Sequence, residues 1–472
     1  MLDRKKQERS IYCKRFLDDT FFGEWRIPKE KRTQREFYSN LEIIVTPDCN
    51  LACTYCYVRR HSAKLYPEEI KNLDDIRNNT SLLVEWLIEN KLVPNAIELF
   101  SGSLFSQQVG WDVLEILYNK YSSVGEELRP FEIVIPTNFT FLIDDETTKR
   151  VEDIFHRFQN IGIRFYLSGS VEGKYMEQNR PFKQNLKLGT GTNEHIYIPN
   201  SKEPRDDEYY EKVFAFCKKY KFGLHPMVYS RNIENWKQNY VWFQEMLKKH
   251  KIRFNSFMML EVRNEEWTEK QLAEFSSFIE FSVDYVFKNI FKENKKDFLK
   301  FMKEEMVVKS IFDSCFSKNI LTGISCSIQQ AVYVRAGDLH IVPCHRTSYT
   351  GLEYGKFVTS DNKIVDIEGL NIELMTQILT FDHRTLSMCE NCVIKEVCNQ
   401  TCLGANLEST GELFAPPPSV CRLSYARILG AVRAIKNIGL EEEIPLQANR
   451  NQSMTYWLLF NKIIGGDANE QK

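Results

Sequence analysis

Cys49-Asn-Leu-Ala-Cys53-Thr-Tyr-Cys56 sets three thiols in a CX3CX2C loop, with an aromatic residue before the last. Three thiolates on so tight a loop can hold three irons of a cubane [4Fe–4S] cluster and leave the fourth iron open. An open iron could chelate the amino and carboxylate groups of S-adenosylmethionine. An electron passed into the sulfonium would then release a strongly oxidising 5′-deoxyadenosyl radical. That chemistry belongs to the cofactor, and the protein positions it. The competing readings are buried thiols or a structural zinc loop, but zinc usually takes four protein ligands.

Seven further cysteines fall between 326 and 421: Cys326, Cys344, then Cys389-X2-Cys392-X5-Cys398-X3-Cys402, then Cys421. One or two structural zincs could use them, although seven thiols do not fill two four-cysteine sites. The chain has thirteen cysteines, of which Cys13, Cys217 and Cys315 stand apart. Cys217 lies in VFAFCKKY, an amphipathic helical pattern, and reads as core. Cys13 has no partner in sequence.

The elements that must carry these residues alternate. LEIIV (41–45), AIELF (96–100), FEIVI (131–135), IRFYL (163–167), LHPMVY (224–229) and FNSFMML (254–260) read as strands, being short and rich in β-branched and aromatic residues. Helical stretches separate them: Leu83, Trp86 and Leu87 share one face, as do Val151, Ile154, Phe155 and Phe158. Six such units predict an α/β fold, a partial (βα)6 barrel with a parallel sheet, followed by a small cysteine-rich iron–sulfur domain. Sites in such folds gather where strands end. The first cysteine loop follows the first strand directly.

The expected organisation is an N-terminal extension over 1–40, the barrel over 41–265 and a helical bridge over 266–319. A metal-ordered domain over 320–430 and a C-terminal helix and tail over 431–472 complete it. Residues 181–206 read as a polar insertion with one short strand, HIYI. RLSYARILGAVRAIKNIG (422–439) reads as a helix, and GGDANEQK at the end as disordered.

The 472 residues carry a net charge of −2, which argues against a nucleic-acid partner. No apolar run reaches membrane-spanning length, and MLDRKKQERSIYCKRF lacks the apolar stretch of a secretory signal. A cytoplasmic location is expected, where thiols stay reduced and clustered cysteines serve metals rather than disulfides.

The loop, its place after strand one and the alternation resemble the radical S-adenosylmethionine superfamily. That resemblance makes Tyr55 a cofactor neighbour. It also maps Ser101-Gly102-Ser103 onto the family's Gly-Gly-Glu turn, with Ser103 where a glutamate would meet the methionine amino group. Thr137-Asn138 resembles the family's turn near the ribose. Ser170-Val-Glu172-Gly173 and then Arg180 resemble Ser-x-Asp-Gly and the arginine that pairs with the methionine carboxylate, for which a guanidinium fork is suited.

CENCVIKEVCNQTC, with six residues between Gly337 and Cys344, is similar to the SPASM extension. That likeness implies two auxiliary [4Fe–4S] clusters: one on Cys389, Cys392, Cys398 and Cys421, the other on Cys326, Cys344 and Cys402, with Cys315 or an open position as its fourth ligand. Enzymes of this kind mostly modify peptides. The resemblance therefore implies a maturase that abstracts hydrogen and forms a thioether or carbon–carbon crosslink in a ribosomally made precursor peptide. It further implies an electron donor such as a flavodoxin or ferredoxin. Some 40 residues precede strand one, too few for a usual leader-binding domain, so a separate leader-binding protein is one expectation. The alternatives are a sulfatase-maturase-like enzyme that forms formylglycine, a small-molecule radical enzyme, and a non-catalytic iron–sulfur protein for electron transfer or binding. His225 and Glu261 are candidate proton acceptors if they face the cavity; otherwise they are packed. Trp236 and Trp267 read as core.

Overall fold

The computed structural model describes residues 22–28, 31, 39–184, 186, 196–197, 203–302 apart from 258 and 264, 328, 331–349, 351–398 apart from 396, and 402–441. Cys13, Cys315, Cys326, His195 and Ile198 of HIYI, and the last residues lie outside them.

The first four expected strands are present as β1 (Asn40–Thr46), β2 (Ala96–Ser101), β3 (Glu132–Thr137) and β4 (Arg164–Gly169). They pair in parallel, with Leu41 opposite Ile97, Ile97 opposite Ile133 and Ile133 opposite Phe165. Helices Leu73–Glu89, Gln108–Ser122 and Asp145–Asn160 connect them. Leu83, Leu87, Val151, Ile154 and Phe158 are buried, as their spacing requires. β1 is buried on both faces from Leu41 onward, the mark of a central strand in a parallel sheet.

The run 224–229 does not form one strand. β5 (Gly223–Leu224) pairs with β4, and β6 (Met227–Val228) pairs with β7 (Leu260–Glu261). Pro226 lies between the two pieces and offers only its carbonyl, which accepts from Leu260 N at 3.1 Å. Among the described residues of the run 254–260, only Leu260 belongs to a strand. Phe254, Phe257 and Met259 instead pack from irregular chain against a hydrophobic core. Of HIYI, Ile196 and Tyr197 are described and are not strand.

The cysteine-rich stretch does not stand apart as expected. β8 (Ala331–Arg335) pairs in parallel with β1, Leu41 opposite Val332, on the edge that β2 leaves open. β9 (His340–Val342), β10 (Gly355–Ser360) and β11 (Lys363–Glu368) continue antiparallel. The result is one nine-stranded sheet in the order β11-β10-β9-β8-β1-β2-β3-β4-β5. The chain thus forms two compact units that interleave in sequence. One holds this sheet. The other holds β6, β7, helices Trp236–Lys249, Glu269–Tyr285 and Pro418–Ile438, and the cysteines from Cys389 to Cys421.

In the second unit the core forms around Trp236, Trp267, Phe275, Phe278 and the inward face of Pro418–Ile438. Pro418 sits at the helix start, where its missing N–H costs nothing. Cys217 and the two tryptophans are buried, as read. No helix among the described residues is long and apolar enough to cross a membrane.

Gly430 lets helix Pro418–Ile438 lie directly on Glu269–Tyr285. A Cβ there would overlap the Ser276 carbonyl and come within 2.9 Å of Ile279 Cβ. Gly430→Val is therefore expected to destabilise by about 1–3 kcal/mol through overpacking, read as a lower unfolding midpoint. An unchanged midpoint would show that the two helices separate freely.

Candidate functional site

The Cys49–Cys56 loop leaves the C-terminal end of β1 and is braced along its backbone. Lys183 N donates to Asn50 O (2.9 Å), Ala52 N to Pro181 O (2.7 Å) and Thr54 N to Asn179 O (2.9 Å). Residues 179–183 thus run beside the loop as a short ladder, with Leu51 bridged antiparallel to Phe182. Beyond the loop, Cys56 caps the helix Tyr57–Leu65.

A side-chain network holds the loop from beneath. Fully buried Asn50 donates to Thr140 Oγ1 (2.8 Å) and Tyr197 OH (3.1 Å). Its Oδ1 accepts from Asn138 Nδ2 (2.9 Å), and Thr140 Oγ1 donates to Asn138 Oδ1 (2.7 Å). Asn138 Nδ2 also faces Cys49 Sγ at 3.8 Å, and Leu51 N donates to the same sulfur at 3.4 Å. Every buried amide here has partners, so the network can hold a loop that lacks regular structure.

Cys49, Cys53 and Cys56 line one pocket of about 310 Å³, together with Ser101, Gly102, Asn138, Ser170 and Arg180. The strand ends place them there, each residue following the strand it was expected to follow. Gly102 is required: a Cβ would meet Pro47 O at 2.5 Å and the Asp48 carbonyl closer still. Tyr55 and Ser103 are not among the lining residues. Ser103 is buried, its Oγ 3.5 Å from Asn138 Nδ2. Arg180 donates to the Ser170 carbonyl and also hydrogen-bonds the Cys53 sulfur.

Burial raises the Cys53 thiol to about 12, against the pull of Arg180 and with the help of Cys49 and Cys56. Burial raises Cys49 too, opposed by Leu51 N and reinforced by Cys56. The three sulfurs therefore feel one another. Among the described residues no three His, Cys, Asp or Glu side chains meet at metal-holding distance. The donor set still suits a cluster: three thiols on one pocket wall, two N–H groups beside one sulfur and a cation beside another.

The pocket has members that spacing does not reveal. Asp48, Arg59, Lys71 and Lys183 all line it. Burial raises the Asp48 carboxyl, and Lys183 and Lys71 draw it back down. The Asp48 backbone carbonyl accepts from Ser103 N at 2.9 Å, which seats Asp48 directly on the Gly102–Ser103 turn.

In the second unit, Cys389, Cys392, Cys398 and Cys421 lie within range of one another's charge. Burial and then Cys398, Cys389 and Cys392 raise Cys421 to about 11, while burial and then Cys392 and Cys398 raise Cys389. Cys421 rides on Pro418–Ile438, and Cys402 caps the helix Leu403–Thr410. Cys344 belongs to the first unit, where its sulfur accepts from Thr347 Oγ1 at 3.3 Å. The proton-acceptor candidates are in the second unit. Glu261 is buried and paired with Arg427 Nη1 at 3.2 Å, and His225 is half-buried. Glu172, also buried, accepts from Met227 N at 3.1 Å and so holds the start of β6.

No family model and no curated protein matches the chain. Two solved structures of the anaerobic sulfatase-maturating enzyme anSMEcpe do match in shape. With bound AdoMet, that enzyme aligns at 14% identity and TM-score 0.53, covering 85% of this chain and 99% of its own. With bound AdoMet and the Cp18Cys peptide, the figures are 15% and 0.50, covering 85% and 98%. At such identity the likeness shows the fold, over 85% of this chain.

Beneath the pocket the sheet holds a second cluster missed by motif. Glu42 and Glu98 are register partners on β1 and β2. Glu42 Oε1 lies 2.7 Å from His345 Nδ1, and the His345 ring stacks on Phe100 at 4.2 Å. Burial and the Glu42 charge raise Glu98 from 4.5 to about 8. The folded chain then keeps a proton that the unfolded chain loses above 4.5. Stability from this group is full below 4.5 and declines until pH passes about 8. Glu98→Gln is expected to flatten the fall in melting temperature across that window. A parallel fall in both proteins would place Glu98 in a wetter setting.

Proposed function

We propose that the protein is a radical S-adenosylmethionine enzyme that modifies a peptide. The observation carrying this reading is the convergence of Cys49, Cys53 and Cys56 on one pocket with Gly102, Asn138, Ser170 and Arg180, in a chain whose fold matches an enzyme solved with AdoMet bound. Cys49, Cys53 and Cys56 would hold the cluster, which when bound supplies the electron that splits S-adenosylmethionine and so starts hydrogen abstraction. Gly102 lets the turn after β2 close onto the Pro47 and Asp48 carbonyls at the pocket wall. Asn138 and Ser170 present polar atoms at the mouth of β3 and β4, and Arg180 sets positive charge beside Cys53. Ladder and network together hold the sulfurs in place before the metal arrives.

We further propose that Cys389, Cys392, Cys398 and Cys421 hold an auxiliary cluster, as their mutual proximity suits. Cys344 and Cys402, with Cys326 and with Cys315 as the candidate fourth ligand, are proposed for another. Such clusters suit an oxidation in which one electron must leave the substrate radical. The proposed product is a thioether or carbon–carbon crosslink in a ribosomally made peptide. A cytoplasmic setting, an electron donor of the flavodoxin or ferredoxin kind and a separate leader-binding protein complete the proposal. Formylglycine formation is the second reading, favoured by the neighbour solved with a Cys-containing peptide.

Anaerobic reconstitution is expected to give about three cubane clusters per chain, and Cys→Ala at 49, 53 and 56 together is expected to remove one. Iron and sulfide for a single cluster in the unaltered protein would contradict the auxiliary sites. Reduced protein with S-adenosylmethionine is expected to yield 5′-deoxyadenosine, and the triple variant none. No 5′-deoxyadenosine from intact, fully loaded protein would end the enzymatic reading. With a Cys-bearing peptide, a ring closed by loss of hydrogen supports the crosslink, whereas a hydrazide-reactive aldehyde supports formylglycine.

A further inference from the structure

Resting on the S-adenosylmethionine reading, we infer that Asp48 is the residue that receives the amino group of the bound methionine moiety. Four basic residues line the pocket, Arg59, Lys71, Arg180 and Lys183, and a single acidic one, Asp48. S-adenosylmethionine brings one carboxylate, one amino group and a sulfonium. Its carboxylate has several cations to choose from. Its amino group has one anion.

Asp48 is also placed to act. Its carbonyl accepts from Ser103 N, so the backbone that carries its side chain is held against the turn that contains Gly102. Among the described residues, the side-chain charges that act on its carboxylate are Lys183, Lys71 and Glu68. Among the described residues its carboxylate forms no hydrogen bond and no ion pair within 4.0 Å, while its backbone N donates to Thr46 Oγ1 at 3.2 Å. By contrast Ser103, which follows Gly102, is buried, turned toward Asn138 and absent from the pocket wall. The carboxylate of this site is thus delivered from the end of β1 rather than from the turn after β2. A partly buried carboxylate accepting from an amino group forms a charge-assisted bond, about twice as strong as a neutral one.

The test uses the full chain, anaerobically loaded with its clusters. Affinity is measured by equilibrium dialysis for S-adenosylmethionine and for its analogue lacking the amino group. Asp48→Asn is expected to weaken S-adenosylmethionine roughly 10- to 100-fold and to leave the analogue's affinity unchanged. Asp48→Glu is expected to restore part of the loss. Iron content and the cluster's visible spectrum check that Asp48→Asn still carries the cluster beside it. Equal affinity of intact protein and Asp48→Asn for S-adenosylmethionine overturns the assignment alone, as does an equal loss for both ligands. If intact, loaded protein binds no S-adenosylmethionine, the proposed function itself falls, and this assignment with it.

Discussion

Three backbone hydrogen bonds between residues 50–54 and 179–183 hold the cysteine loop where it is, and much of the site follows from them. A loop bearing three thiols has no periodic bonding of its own, so something else must satisfy its amides and fix its course. The ladder does this from one side, and the Asn50–Asn138–Thr140–Tyr197 network from below. The same ladder carries Arg180 toward Cys53 and Lys183 toward Asp48. One local pairing thereby sets both the course of the three-thiol loop and the charge around it.

That charge is unevenly divided. Burial pushes the Cys53 thiol up to about 12 and raises Cys49 as well, while Arg59, Lys71, Arg180 and Lys183 bring positive charge to the same pocket. Metal must displace the thiol protons, because only thiolates bind it. Neighbouring cations favour the thiolates that result. Loading the proposed cluster would therefore release protons as it proceeds.

How much of this could be read from sequence depends on how local the cause is. The CX3CX2C spacing and the runs 41–45, 96–100, 131–135 and 163–167 are local, and the structure sets them in register. The run 254–260 failed because Phe254, Phe257 and Met259 satisfy burial from an irregular segment, which apolar composition cannot distinguish from a strand. Asp48, Lys71 and Lys183 had no motif, since what makes them part of the pocket is proximity across the ladder. Ser103 was legible as a departure from the family pattern, but not as a residue turned inward toward Asn138. Glu42, Glu98 and His345 were invisible because β1, β2 and the segment after β9 meet only in the folded sheet.

The seating of β8 beside β1 bears on how the chain acquires its form. β1 is among the first strands to leave the ribosome, yet one of its two edges waits for a partner that begins at Ala331. Until then it presents a row of unpaired amides and carbonyls. Pairings this distant in sequence form slowly, since a long loop must close before any contact rewards it. Synthesis of the early strands alone leaves the sheet open, and the nascent chain has to be kept from pairing elsewhere until its last third emerges.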